Sequence, residues 1–247
     1  MRLVSLIAFC LALVACAPTR EPACRATTFE GTRFTVCRLD TRRDTFRLMT
    51  ETRQGEKLRS FSAVSDVLGK RARDVRFATN AGMFNDDGAP IGLYVENGRT
   101  LKPANTNEGP GNFHMMPNGV FSVDADGQVR VETTAEFLAR GATPQWATQS
   151  GPMLVIGGKL HPAIQEDGPS RLVRNGVGVR GARLAIFAIS DDPVSFGRFA
   201  RLFRDELGCT DALFLDGTVS SLWAPSMNRR DAGAPLGPMA VVSEKRR

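Results

Sequence analysis

The chain has only two histidines, His114 and His161, and neither belongs to an H-x-x-x-H pair, so a zinc-hydrolase centre lacks its usual ligands. It has no C-x-x-C, which argues against a structural zinc site, and no G-x-S-x-G elbow to mount a Ser-His-Asp triad. No P-loop is present and no G-x-G-x-x-G follows a strand, which removes the common phosphate cradles. Tyr and Trp are scarce, one and two, and the net charge of +6 is spread over scattered arginines without a long basic block. Nucleic-acid binders concentrate basic residues on one face and interleave stacking aromatics, so no nucleic-acid partner is expected. The charge suits instead a solvated surface near an anionic envelope or an anionic substrate.

The apolar run Leu3 to Ala15, behind Arg2, is too short to span a bilayer and fits a secretory signal over residues 1 to 15. Its end, Leu13-Val14-Ala15-Cys16, resembles the lipobox of bacterial lipoproteins, which implies lipidation at Cys16 and a membrane anchor for an exported envelope or periplasmic protein. An ordinary signal peptide with Cys16 incidental is the alternative. Residues 16 to 28, polar and Pro-containing, read as a tether, and residues 29 to 247 as one domain. Cys24 and Cys37 are positioned to form a disulfide in an oxidising compartment, leaving Cys209 as a buried apolar thiol.

Period-2 alternation predicts strands at Thr32 to Leu39 and Thr45 to Met49, read as a hairpin across the charged stretch between them. A helix begins at Phe61, and Val75 to Thr79 forms a buried strand. Asp124-Ala125-Asp126-Gly127 marks a hairpin turn rather than a calcium loop, and Thr133 with Glu136 resembles a capping box opening a helix to Arg140. Further strands fall at Ile91 to Glu96, Ala147 to Gln149, Met153 to Ile156, Gly176 to Arg180, Leu184 to Ile189 and Ala212 to Leu215. The longest helix signal is Phe196 to Leu207, with Gly208 at its C-cap. Many strands with few helices predict an α+β domain with a mixed, mostly antiparallel sheet core.

Four small polar-glycine corners interrupt the apolar strands: Asn80-Ala81-Gly82, Gln149-Ser150-Gly151, Arg174-Asn175-Gly176 and Asp216-Gly217. A carboxylate emerging from a buried strand, as Asp216 does, is partly desolvated, which is how proteins tune an acid, base or nucleophile. Asn80 offers an amide that both donates and accepts, and the planar fork of Arg174 suits phosphate or carboxylate. Each corner alone reads equally as a turn. Asn112 and Asn118 read as turn formers, and Met83 and Phe84 as core.

In order along the chain, ATNAGMF, GLYVENG, GNFHMMPNGVF, QSGPMLVIGGK, RNGVGV and LGCTDALFLDGTVSSLW resemble the motifs of the phosphodiester glycosidase family, from about Phe29 to Val242. The resemblance implies a hydrolase that releases a sugar such as N-acetylglucosamine from a phosphodiester, here in an envelope glycan or exopolysaccharide. It implies a cleft lined by Asn80, Gly82, Ser150, Gly151, Arg174, Asp216 and Gly217, with Asn80 facing the cleft and Met83 and Phe84 packed behind. Asn175 and Thr218 stand where better-known members carry threonine and glycine. Asp216 is expected as nucleophile or base, Arg174 as the phosphate's countercharge, and Asn80 and Ser150 as orienting groups, with Asp191 and Asp192 as outside candidates for a second carboxylate. No cofactor or metal is expected. The alternative readings are a lipid-anchored glycan-binding protein without turnover, and a metal-dependent phosphodiesterase.

Overall fold

A computed structural model of the chain describes residues 21–246. The signal, Cys16 and the first part of the tether lie outside the described residues. In chain order the elements begin with β1 (Cys24–Phe29), β2 (Thr32–Asp40), β3 (Asp44–Met49), α1 (Phe61–Leu68), β4 (Val75–Asn80), β5 (Tyr94–Glu96) and β6 (Arg99–Lys102). There follow β7 (Gly119–Val123), β8 (Val129–Thr133), α2 (Thr134–Arg140), β9 (Trp146–Ser150), β10 (Met153–Ile156) and β11 (Lys159–Leu160). The last are β12 (Asn175–Val179), β13 (Leu184–Ser190), α3 (Phe196–Arg201), β14 (Asp211–Asp216), β15 (Leu222–Ala224), β16 (Arg229–Arg230) and β17 (Met239–Glu244). Mostly antiparallel sheets with three short helices make this the α+β fold that the pattern predicts.

A seven-stranded sheet runs β1-β2-β13-β12-β14-β10-β11, and two five-stranded sheets run β16-β15-β4-β17-β3 and β6-β5-β9-β7-β8. The alternation of β14 shows how the layers are held. Ala212 and Phe214 pack with Phe199, Leu202 and Phe203 of the α3 segment, whereas Leu213 and Leu215 enter the core shared with Phe77 and Phe121 of the other sheets. With both faces covered, β14 has to read as a continuous apolar run.

Two expectations are corrected here. β2 and β3 do not form a hairpin: β2 pairs with β1 and β13, and β3 with β17 in a different sheet. Alternation fixes which face of a strand is buried but not its neighbour, and the charged link carries the chain between sheets. The expected tether also becomes structured early, because β1 starts at Cys24 and pairs with β2 in the register Cys24↔Cys37. As an edge strand, β1 leaves several side chains exposed, which gives it a polar, linker-like composition.

That register brings Cys24 and Cys37 into the expected disulfide. The bond closes a loop of sequence separation 13, for which chain entropy gives about 3 kcal/mol. Reduction is therefore expected to lower the Tm by about 5–10 °C in a thermal melt with and without dithiothreitol.

The capping box forms as predicted: Thr133 Oγ1 accepts from Glu136 N while Glu136 Oε2 accepts from Thr133 N. The predicted long helix is α-helical only over α3 and continues through Glu206 as a wider turn, with Leu207 N donating to Leu202 O at 3.0 Å. The segment packs tightly on β12 because that strand supplies glycines. A Cβ on Gly178 would lie 2.7 Å from Cys209 Sγ and 2.8 Å from a Phe203 ring carbon. Burial pushes the Cys209 thiol up to about 12, which makes it the inert apolar thiol expected.

Candidate active site

Asp216 ends β14 and is 6% exposed. Its Oδ1 accepts from Gly217 N at 2.6 Å, Thr218 N at 2.6 Å and Val219 N at 3.4 Å. All three bonds fall on Oδ1, so Oδ2 is left without a partner among the described residues and opens on a cleft of about 490 Å³. Burial raises the Asp216 pKa above its usual value, while the three backbone N–H groups and the Asn80 side chain hold the rise in check. The result is a desolvated carboxylate with one oxygen fixed by the backbone and the other available to a reactant.

Beneath it lies a polar network that ties three chain segments together. Asn175, opposite Asp216 in the β12–β14 register, donates through Nδ2 to Thr79 Oγ1 at 3.0 Å, Asn80 O at 2.8 Å and Asn80 Oδ1 at 3.1 Å. Asn80 Oδ1 also accepts from Ser221 N at 2.9 Å, and Ser220 Oγ donates to Asp216 O at 3.0 Å. Asn80 Nδ2 is close enough to favour the Asp216 charge but does not meet hydrogen-bond geometry, so it is a buried donor without a partner among the described residues. Its role in the resting structure is to favour the charged form of the neighbouring Asp216.

The other predicted residues occupy different places from those expected. Arg174 is fully buried behind Gly217: Nε donates to Val194 O at 2.9 Å and Nη2 to Ser170 O at 2.9 Å, and the guanidinium lies 3.7 Å from the Phe196 ring centroid. Burial lowers its pKa to about 10, which still leaves it protonated at neutral pH. Its Nη1 has no partner among the described residues and would lie 3.3 Å from a Cβ on Gly217. Arg174 is thus a positive charge behind the cleft floor, not a wall residue. Ser150 is fully buried and donates to Leu215 O at 3.0 Å, which positions β14 rather than a ligand.

Gly82 and Gly151 are close-packing positions. A Cβ on Gly151 would lie 2.7 Å from Phe113 O, and one on Gly82 would lie 2.4 Å from Gln149 O, a backbone atom that cannot swing aside. Gly82→Ala is therefore expected to destabilise the fold by about 1–3 kcal/mol, read as a lower Tm. Asn118 is likewise structural, donating to Phe113 O at 3.0 Å and accepting from Thr134 Oγ1 at 2.7 Å.

The inside and outside of the Asn80 corner are reversed from expectation. Asn80 is 1% exposed, while Met83 and Phe84 are half-buried and line the cleft. Packing of Gly82 against β9 turns the chain outward directly after it. Thr218 is exposed on the cleft and its backbone avoids positive φ, so threonine is accommodated where the family motif has glycine. Asp191 is engaged by Arg229 at 2.7 Å and exposed Asp192 by Arg33 at 3.7 Å, and neither lines the cleft. Sequence reasoning missed Arg59 and Asp86, which do line it. Asn85-Asp86-Asp87-Gly88 reads as an ordinary turn, and Arg59 as the residue before a helix cap.

Comparison with known proteins places the chain in a family. The chain belongs to the phosphodiester glycosidase family, whose model matches residues 73–242. It is 38% identical over 154 residues to the uncharacterized protein YigE of Escherichia coli (strain K12), covering 60% of this chain and 58% of that protein. Its fold is similar to the zebrafish N-acetylglucosamine-1-phosphodiester alpha-N-acetylglucosaminidase catalytic domain auto-inhibited by pro-peptide, with a TM-score of 0.59 at 12% identity over 92% of this chain and 85% of that one. A hypothetical protein from Synechocystis gives a TM-score of 0.55 at 15% identity, covering 90% and 61%.

Proposed function

We propose that the protein hydrolyses a sugar-1-phosphodiester at the anomeric carbon, with Asp216 as the carboxylate that attacks the sugar or activates water. The observation that carries this reading is the asymmetry of Asp216: Oδ1 is saturated by backbone N–H groups and Oδ2 is open to the cleft. A phosphomonoester is a good leaving group, so the demand for a general acid is lower than in ordinary glycosidases with their two carboxylates. The Asn80 side chain beside Asp216 favours its charged form, and Arg174 adds a fixed positive charge behind Gly217 that favours an anionic substrate over the floor. The substrate class is a cell-envelope or exopolysaccharide glycan. Export, with a lipid anchor at Cys16, is part of the same reading and is supported by the Cys24–Cys37 disulfide, which belongs to an oxidising compartment.

The test is incubation of the full chain with a panel of sugar-1-phosphodiesters, with products read by mass spectrometry, with and without chelator. Free reducing sugar plus phosphomonoester, insensitive to chelator, is the expected result. A free sugar phosphate lost with chelator would point to phosphodiesterase chemistry on the other side of the phosphate. Saturable glycan binding without turnover would point to a binding protein.

A further inference from the structure

We propose that Arg59 is the guanidinium that holds the substrate's phosphate, an inference that rests on the sugar-1-phosphodiester reading for its setting. Arg59 is the one cationic side chain lining the Asp216 cleft among the described residues, and Asp86 is the other carboxylate there. Arg174, assigned this role from its motif, is enclosed by protein and has no open path to a ligand.

Arg59 is built in place. Its backbone is pinned by Leu236 N donating to Arg59 O at 2.9 Å and by the Ser60 cap that opens α1 immediately after it. Its guanidinium carbon lies 5.6 Å from the centroid of Phe84, and Nη2 donates to Asp86 O at 3.2 Å. The turn around Gly88 covers Nη1, which is buried without a partner among the described residues, and a Cβ at Gly88 would collide with it. Among the described residues no carboxylate pairs with Arg59; even Asp86 offers its carbonyl, not its side chain. Nε and the remaining N–H of Nη2 likewise have no acceptor among the described residues.

A fixed arginine whose charge no carboxylate neutralises, with donors free on a cleft that also holds a reactive carboxylate, matches the geometry that oxyanions take from a guanidinium fork. The neighbouring hollow of about 320 Å³ shares Arg59 and is also lined by Arg230, which stacks 4.5 Å from Trp223. Arg230 does not line the Asp216 cleft, so it serves as a control for the loss of one positive charge nearby.

The test is calorimetric titration of inorganic phosphate into the full chain and its Arg59→Gln, Arg59→Lys and Arg230→Gln variants, followed by kcat/KM on the best phosphodiester of the panel. Arg59→Gln should weaken phosphate binding and lower kcat/KM by about tenfold or more, as expected for losing a charge-assisted hydrogen-bond pair. Arg59→Lys should retain part of both, and Arg230→Gln should stay within about twofold, as for an exposed charge that does not line the cleft. If Arg59→Gln does not fold, the lysine variant decides: a partial or complete loss of phosphate binding with Lys supports the fork, and full retention overturns it. Absence of phosphate binding by the parent, or binding and turnover indifferent to Arg59, overturns the assignment while leaving the glycosidase reading intact. Phosphate binding that depends on Arg59 without hydrolysis of any phosphodiester would instead sink the glycosidase reading and leave the anion site standing.

Discussion

Asp216→Asn is expected to lower kcat by about 10³-fold, the middle of the range for removing a group that transfers protons or attacks in the transition state. The substitution is close to isosteric, and the amide that replaces the carboxylate can keep its oxygen on the Gly217, Thr218 and Val219 N–H groups, so the floor of the cleft should persist. The pH behaviour separates a chemical role from a structural one. Burial raises the Asp216 pKa above 3.8, so the fold prefers the protonated form. The stability this group contributes is complete below its unfolded value, near 3.9, and is lost as pH rises through the raised folded value. Above that window the parent carries a buried charge that the variant lacks. Asp216→Asn should therefore melt higher than the parent at pH 7, with the difference closing towards pH 4, while the acidic limb of the parent's kcat/KM lies above 3.8. A variant that is less stable at pH 7, or that keeps its turnover within tenfold, would remove Asp216 from the centre of the mechanism.

How far this site was legible in the sequence follows from which interactions are local. The strand ending at Asp216, the β7–β8 hairpin and the Thr133 and Glu136 capping box each depend on residues a few positions apart, and each forms where the pattern places it. The Cys24 and Cys37 pairing was legible because two cysteines so close in the chain, with Cys209 far from both, leave few alternatives. What failed was set by packing between distant segments. The split of β2 and β3 between sheets, the enclosure of Arg174 behind Gly217 and the inward turn of Ser150 all depend on neighbours from elsewhere in the chain. The motif identified residues that build the site without distinguishing wall from support. Arg59 and Asp86 carry no local signal, since an arginine before a serine cap and an aspartate in a turn have the same composition on any surface.

Arg174→Ala is expected to be the most destabilising single change at the site, because this motif arginine is first of all a packing element. The side chain is fully buried, bonds to Val194 O, Ser170 O and Ser170 Oγ, and lies 3.7 Å from the Phe196 ring centroid and 5.4 Å from that of Phe214, two rings that meet edge-to-face. Truncation leaves a cavity in place of a fully buried side chain and removes its hydrogen bonds to Val194 and Ser170 and its contacts with both rings, for which about 3–5 kcal/mol is expected. In a chain of this size that lowers the Tm by roughly 10 °C. Arg174→Met, which keeps the volume and the aromatic contacts but removes the charge, should recover part of the loss, because a well-packed apolar group often replaces a buried charge at little cost. Activity of the folded fraction, assayed well below either midpoint, then isolates the electrostatic contribution. A positive charge behind Gly217 acting on an anionic substrate through the floor predicts that Arg174→Met raises KM more than it lowers kcat. If instead Arg174→Ala melts within a few degrees of the parent while kcat collapses, Arg174 reaches the substrate directly, and the floor between them opens during the reaction.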